Sequence, residues 1–290
     1  MSPNTSEFHL HCYSSRPGIF IFTAFTVTSV VFLPLHMFVL HVGYQRWRQQ
    51  RSVSAAAAAM TSHADVFTFY MVVLEFISSL GCVLYSFGAL AEQQAFIPLG
   101  IGFLVVTSSG QVLLHLLTCA ERYLAVIHPI TYRKLKQRGG VKIRNISIGC
   151  VCVMCSGSLI PTILQMRFLS GVSTCCFFIL ALIVASFCSL SVLRVLIRPG
   201  PGKVGGGRAQ VDQVKRRAFH TITAILGALL LRFASVLISS MVFASEPTHT
   251  RCVLGSTMIW FTLPSSLVLP LLFLHRVGKL PGGKHNSESG

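Results

Sequence analysis

Acidic side chains are scarce in this chain: 8 Asp and Glu stand among 290 residues, and all charged types together reach only 11%. An ordinary soluble domain carries roughly a quarter. With 52% hydrophobic residues and a mean hydropathy of +0.68, the chain has too few polar groups to cover a single soluble core. The same apolar content excludes an intrinsically disordered protein. The 24 Lys and Arg give a net charge of +16, a balance that suits nucleic acid until the charges are placed. They fall between long apolar runs, so no nucleic-acid partner is expected and the chain is expected in a bilayer.

Other things are missing. No C-x-x-C pair has a matching His or second pair, which argues against zinc. Cys152 and Cys155 have that spacing, but they sit inside an apolar segment, where a thiol packs as a small hydrophobe. No nucleophile and base, and no metal-ligand set, converge, so neither an enzyme nor a bound cofactor is expected. An internal repeat is absent too, which weighs against a transporter assembled from duplicated halves.

What is present is a succession of apolar stretches near the length of about 20 residues that a membrane helix needs. Seven are expected, over 19–43, 66–91, 95–127, 146–166, 175–197, 218–244 and 252–274. They divide the chain into an N-terminal segment 1–18, a seven-transmembrane helix bundle 19–275 of all-α class, and a short tail 276–290. Residues 1–18 lack a signal-peptide core, so the first span is expected to act as its own insertion signal.

Positive charge sets the orientation, because cytoplasmic loops retain Lys and Arg. With the N-terminus outside, only Arg16, Arg167 and Arg251 face outward, while Arg122, Arg194 and Arg232 lie within spans; the remaining 18 basic residues face inward. The N-terminus is therefore expected outside the cell and the bundle in the plasma membrane, with the basic inner surface set against anionic membrane lipids. Asn4-Thr5-Ser6 then becomes a glycosylation sequon on the outer side.

At the inner end of the third span the sequence runs Glu121-Arg122-Tyr123-Leu124-Ala125-Val126-Ile127-His128-Pro129-Ile130-Thr131-Tyr132. An acid and an arginine at the end of a membrane helix need a partner or water. This dozen residues resembles the end of the third helix and the second inner loop of the rhodopsin-like G-protein-coupled receptors, which carry Asp/Glu-Arg-Tyr, a short apolar run and a Pro there. The resemblance implies a two-state helix bundle that passes an extracellular ligand's signal to a heterotrimeric G-protein. It implies that the acid holds Arg122 at rest, and that Arg122 joins the cavity receiving the G-protein when the sixth helix swings out. Glu121, Arg122, Tyr123, Pro129, Pro270 and Phe273 are the switch residues this likeness marks.

Departures from the family pattern define a second group. Leu269-Pro270-Leu271-Leu272-Phe273 stands where the family has Asn-Pro-x-x-Tyr, and Leu231-Arg232-Phe233-Ala234-Ser235 where it has Cys-Trp-x-Pro. Ser265 and Ser266 match positions that line the family's sodium site, and helix arithmetic puts Glu75 and Gln111 at a similar depth. Glu75, Gln111, Arg232, Ser265 and Ser266 are expected to form a mid-membrane polar cluster. Loss of the amide and phenol in the seventh span favours a protonated or paired Glu75 over sodium, and a Glu75–Arg232 interaction is expected, direct or through water. The outer disulfide of the family lacks its partner here; Cys12 and Cys252 are the alternative pair.

Leu104 stands where amine receptors carry an aspartate, which disfavours an amine ligand. Leu104, Ser108, Ser109, Phe233 and Trp260 are candidates for lining a ligand pocket, and the ligand remains unnamed. The tail and third inner loop offer few hydroxyls for phosphorylation, so weak arrestin recruitment is expected. Two alternatives stand beside the receptor: an atypical receptor-like bundle with little G-protein coupling, and a seven-span transporter or channel using Glu75, Arg232 and His115 as pathway residues.

Overall fold

Backbone N–H and C=O groups that leave water for hydrocarbon must bond within their own segment, so apolar runs of this length fold as helices. The computed structural model describes residues 16–53, 63–93, 95–163, 167–197, 219, 222–238 and 248–277. Every regular element among these described residues is helical, with no strand. In chain order they are α1 (Arg16–Val31), α2 (Leu33–Val53), α3 (His63–Leu90), α4 (Phe96–Ile127), α5 (Pro129–Ile163) and α6 (Arg167–Ile197). There follow α7 (Ile222–Ile238), then α8 (Thr248–Met258), a 3-10 turn over Ile259–Thr262, and α9 (Leu263–Val277).

Five stretches are long and apolar enough to cross a membrane: Pro17–Arg46, Val66–Leu90, Phe96–Ile127, Cys176–Val195 and Val253–His275. They coincide with the first, second, third, fifth and seventh expected spans. The expected fourth and sixth fall on shorter apolar helices, Asn145–Gly157 and Ile222–Ile238. The sixth, expected over 218–244, runs into residues outside the described ones.

Proline explains two interruptions. The first span breaks at Phe32 because Pro34, in the first turn of α2, brings no N–H to the preceding carbonyls. The flanking bonds Phe32 N–H to Thr28 O and His36 N–H to Phe32 O, each 3.2 Å, hold the two pieces together. In the last span Pro264 has no N–H for the Trp260 carbonyl, which takes the amide of Leu263 instead. The chain tightens there into the 3-10 turn.

The basic segment after the third span, read as an inner loop, is helical. Pro129 opens α5, a position where its missing N–H costs nothing, and the helix runs unbroken for 35 residues. At ~1.5 Å per residue that is about 52 Å, well beyond a hydrocarbon core of ~30 Å. Its basic first half therefore projects from the apolar layer as a rod.

α4 is the axis of the packing. Val112, Leu114 and Cys119 join a buried core with Phe178, Ala181, Ala185 and Cys188 of α6, Leu229 and Phe233 of α7, and Leu269 of α9. Outward-facing Val153, Ile183 and Phe187 are exposed, as suits a surface solvated by lipid. Against α3 the axis comes closest through two facing glycines. A Cβ on Gly100 would stand 2.7 Å from the Tyr85 amide nitrogen and 2.8 Å from the Gly81 carbonyl. Small residues allow this approach in membranes.

Gly100→Ala is accordingly expected to destabilise the folded chain by about 1–3 kcal/mol. Gly149→Ala, where an added Cβ meets nothing within 4 Å, should leave the thermal midpoint in detergent at or above wild type. Equal midpoints for Gly100→Ala and wild type would refute the close approach.

Candidate functional site

Along α4, residues 104, 108, 111, 115, 118 and 122 are spaced by alternating fours and threes, so Leu104, Ser108, Gln111, His115, Thr118 and Arg122 share one face over about five turns. The N-terminal and middle part of this face carries a buried polar network; its C-terminal end carries the Glu-Arg-Tyr motif.

Arg232 is the centre of the network. It projects from α7 and is 1% exposed, although guanidinium is strongly disfavoured away from water unless its donors are met. One terminal nitrogen donates to Gln111 Oε1 at 2.6 Å and to Ser265 Oγ at 3.0 Å. The other donates to Ser108 Oγ at 2.9 Å and to the Ser108 carbonyl at 3.3 Å. Only the Nε of Arg232 lacks a hydrogen-bond partner. Gln111 then turns its amide nitrogen to Glu75 Oε1 at 2.7 Å. A cation on one side and a carboxyl on the other leave one orientation for that amide.

The expected Glu75–Arg232 interaction thus takes a different form: among the described residues the pair is not in direct contact, and Gln111 stands between them as a relay. Ser266 lies beside the Glu75 carboxyl. Ser265 and Ser266 both donate to the Thr262 carbonyl, at 2.7 and 3.3 Å. The Nε2 of buried His115 bonds the Ser265 carbonyl at 3.0 Å; since a carbonyl only accepts, this nitrogen carries the proton. The five expected cluster residues, Ser265 and Ser266 from the resemblance and the others from helix depth, lie together here, with Ser108 and His115 added.

A cavity of about 520 Å³ opens on this network. Leu104, Ser108 and Ser109 line it, as expected for a pocket, together with Glu75, Gln111, Arg232 and Ser266. Aromatic and aliphatic side chains, among them Phe25, Phe177, Phe178 and Ile259, close its other walls. Two expected members do not belong. Phe233 is buried in the core, its ring edge-on to Phe178 at 5.6 Å, because the residue after Arg232 points about 100° away around α7. Trp260 is half-buried against the edge of Phe25, 5.8 Å between centroids, behind the cavity wall rather than in it.

At the C-terminal end of α4 the motif residues Glu121, Arg122 and Tyr123 are half-buried. The Tyr132 hydroxyl, from the first turn of α5, donates to Glu121 Oε1 at 2.9 Å. Tyr123 packs between His128 and Phe187. The exposed Pro129 starts α5. Pro270 lies inside α9, and Phe273 is buried with Val39, Val42 and Val72, edge-on to Phe69. Asn4 and Cys12, and the side chain of Cys252, lie outside the described residues, so neither the sequon nor the disulfide is placed. Cys152 and Cys155 are both unbridged. No group of three His, Cys, Asp or Glu able to hold a metal occurs among the described residues.

The sequence did not mark Tyr132 or Ser108 for these roles. A hydroxyl eleven residues beyond Glu121, across a Pro, becomes its partner only because α5 begins at once; that the segment is helical is the missing signal. Comparison of the sequence with protein-family models and with curated proteins gives no match.

Two expectations test this geometry. Gln111→Leu strips a hydrogen bond from each end of the relay and should cost about 3 kcal/mol. Glu75→Gln and Arg232→Gln should be non-additive by about 0.5–3 kcal/mol in unfolding free energy; simple additivity would mean the relay carries no coupling. For Tyr132, burial, the Glu121 carboxylate and the hydrogen bond to it push the phenol up to about 12. The sign follows from the raised value. Stabilisation by the neutral phenol is complete below the ordinary tyrosine range near 10 and is lost as pH rises toward 12. Tyr132→Phe should delete one phenolate from the ultraviolet titration at the alkaline end of that window. An unchanged titration there would remove the bond to Glu121.

Proposed function

We propose that this chain is a divergent rhodopsin-like receptor: a seven-span bundle of the plasma membrane, N-terminus outside, that passes an extracellular ligand's signal to a heterotrimeric G-protein. Five long apolar helices and two shorter ones, in the order the seven spans require, support the architecture. The 18-to-3 division of basic residues supports the orientation.

The observation that carries the reading is the single face of α4. At one level it presents Ser108 and Gln111 to a cavity large enough for a small ligand. Eleven residues on from Gln111, about 16 Å at 1.5 Å per residue, it presents Arg122 beside Glu121. A ligand entering the cavity meets the partners of Arg232, and Arg232 belongs to α7, the helix that has to move in a receptor of this type. Ligand contact and helix displacement are thereby linked through one set of hydrogen bonds. At the inner end, Tyr132 holds Glu121, so α5 shares in the restraint of the motif.

The transporter reading draws on the convergence of Glu75, Arg232 and His115 in one network. Glu75 accepts from Gln111, Arg232 donates to Gln111 and His115 donates to the Ser265 carbonyl, fixed bonds between side chains that suit a latch better than a path.

Arg122→Ala is expected to lower basal and stimulated nucleotide exchange on a panel of G-proteins by about tenfold or more, while surface expression stays near wild type. Wild-type exchange from the variant removes the receptor reading. Ion or substrate flux that disappears in Glu75→Gln, with exchange absent from wild type, puts the transporter in its place.

A further inference from the structure

The donor set around Arg232 is unusual for an arginine and ordinary for a metal cation. Gln111 Oε1, Ser265 Oγ, Ser108 Oγ and the Ser108 carbonyl surround it at 2.6–3.3 Å, all hard oxygens from two helices. The Glu75 carboxyl stands one hydrogen bond further out. Uncharged oxygens backed by one carboxylate are the ligands of alkali and alkaline-earth ions. The space between these oxygens is filled by guanidinium.

We propose that Arg232 is the resident cation of this bundle: its guanidinium occupies the oxygen cage of Ser108, Gln111 and Ser265, so the folded protein takes up no sodium there. Charge supports this as strongly as geometry. Among the described residues the site holds one basic and one acidic side chain, Arg232 and Glu75, the latter 8% exposed. His115 is the other titratable group bonded into the network, through Ser265. A sodium ion added to the pair would leave an unbalanced positive charge in a region of low dielectric, where such charge is heavily penalised. Access is not the obstacle, since Arg232, Glu75, Gln111, Ser108 and Ser266 all border the cavity. Removing the guanidinium leaves the same oxygens, a carboxylate without its counter-charge, and a route in. A shortened residue 232 should therefore convert the chain into a sodium-binding protein.

This inference concerns stability and ions, and it holds or fails separately from the receptor reading. The full-length chain is purified in detergent, and its thermal midpoint is followed while sodium chloride replaces choline chloride at constant ionic strength. Wild type should show no sodium-specific change. Arg232→Ser should rise with sodium concentration, by roughly 5 °C or more at saturation, and Glu75→Gln in that background should abolish the rise. If Arg232→Ser can be isolated only in sodium, that dependence is itself the expected result. If it cannot be isolated in either salt, Arg232→Gln is measured in the same way. A sodium-specific rise in wild type overturns the proposal without any variant. Indifference to sodium of whichever variant folds overturns it as well.

Discussion

A guanidinium cannot leave water alone. Placing Arg232 in the middle of a helix bundle forces neighbouring elements to supply oxygens at fixed heights and angles, and the rest of the interior follows from that demand. α4 answers with Ser108 and Gln111, one helical turn apart, so that a hydroxyl, a carbonyl and an amide oxygen face the same point. α9 answers with Ser265. Gln111 passes the demand on to Glu75 of α3, and the Ser265 carbonyl passes it back to His115 of α4. Four helices are thus held in register by one positive charge. Removing a single partner leaves charge or polarity unmet in a place with no water to meet it, which is why such sets are sensitive to any one change.

The apolar packing accommodates this set rather than competing with it. Phe233, next in sequence to Arg232, turns into the core against Phe178, so α7 shows a cation to one side and an aromatic ring to the other. Gly81 and Gly100 bring α3 and α4 together, and that closeness lets the short amide of Gln111 reach Glu75. Pro264 sets the 3-10 turn immediately before Ser265 and Ser266. The Thr262 carbonyl, at the end of that turn, takes both serine hydroxyls. A local backbone irregularity so placed is affordable because it borders a polar cavity.

Depth was legible in the sequence and direction was not. A rise of 1.5 Å per residue fixes how far along its helix a residue lies, so Glu75 and Gln111 could be assigned to a similar depth and Arg232 to within reach of them, while Ser265 and Ser266 came from the resemblance. What counting cannot give is the angle of each helix about its own axis relative to its neighbours. That angle decides that Gln111 stands between Glu75 and Arg232, that Ser108 serves the arginine, and that Phe233 and Trp260 face away from the cavity. The segment after Pro129 illustrates another limit. Its charges read as a connection between spans, whereas Lys, Arg and Gln are good helix formers and the helix continues through them. With that continuation Tyr132 comes over Glu121, a contact that spacing across a proline does not suggest.

The two ends of α4 can be connected by a physical step that needs no long chain of contacts. A helix is stiff along its length, and the face bearing Ser108 and Gln111 is the face bearing Arg122. Arg232 holds α7 against this face through bonds to Ser108 and Gln111; in the proposed receptor, a ligand that competed for the two Ser108 acceptors would weaken the grip at mid-bundle. Each such bond to a charged donor is worth about 1.5–3 kcal/mol, and a two-state bundle is shifted appreciably by a difference of that size. Ser265 and Gln111, with Glu75 behind it, would stay engaged through the other nitrogen, so the charge would not be left uncompensated. A bare midspan lysine would not serve equally well. It presents a single nitrogen, whereas the planar fork of arginine can release one pair of acceptors and keep the other. The fork therefore stands one amide away from a buried carboxyl and, in the proposed receptor, would offer a contact that can be exchanged, which is what a bundle with two arrangements requires.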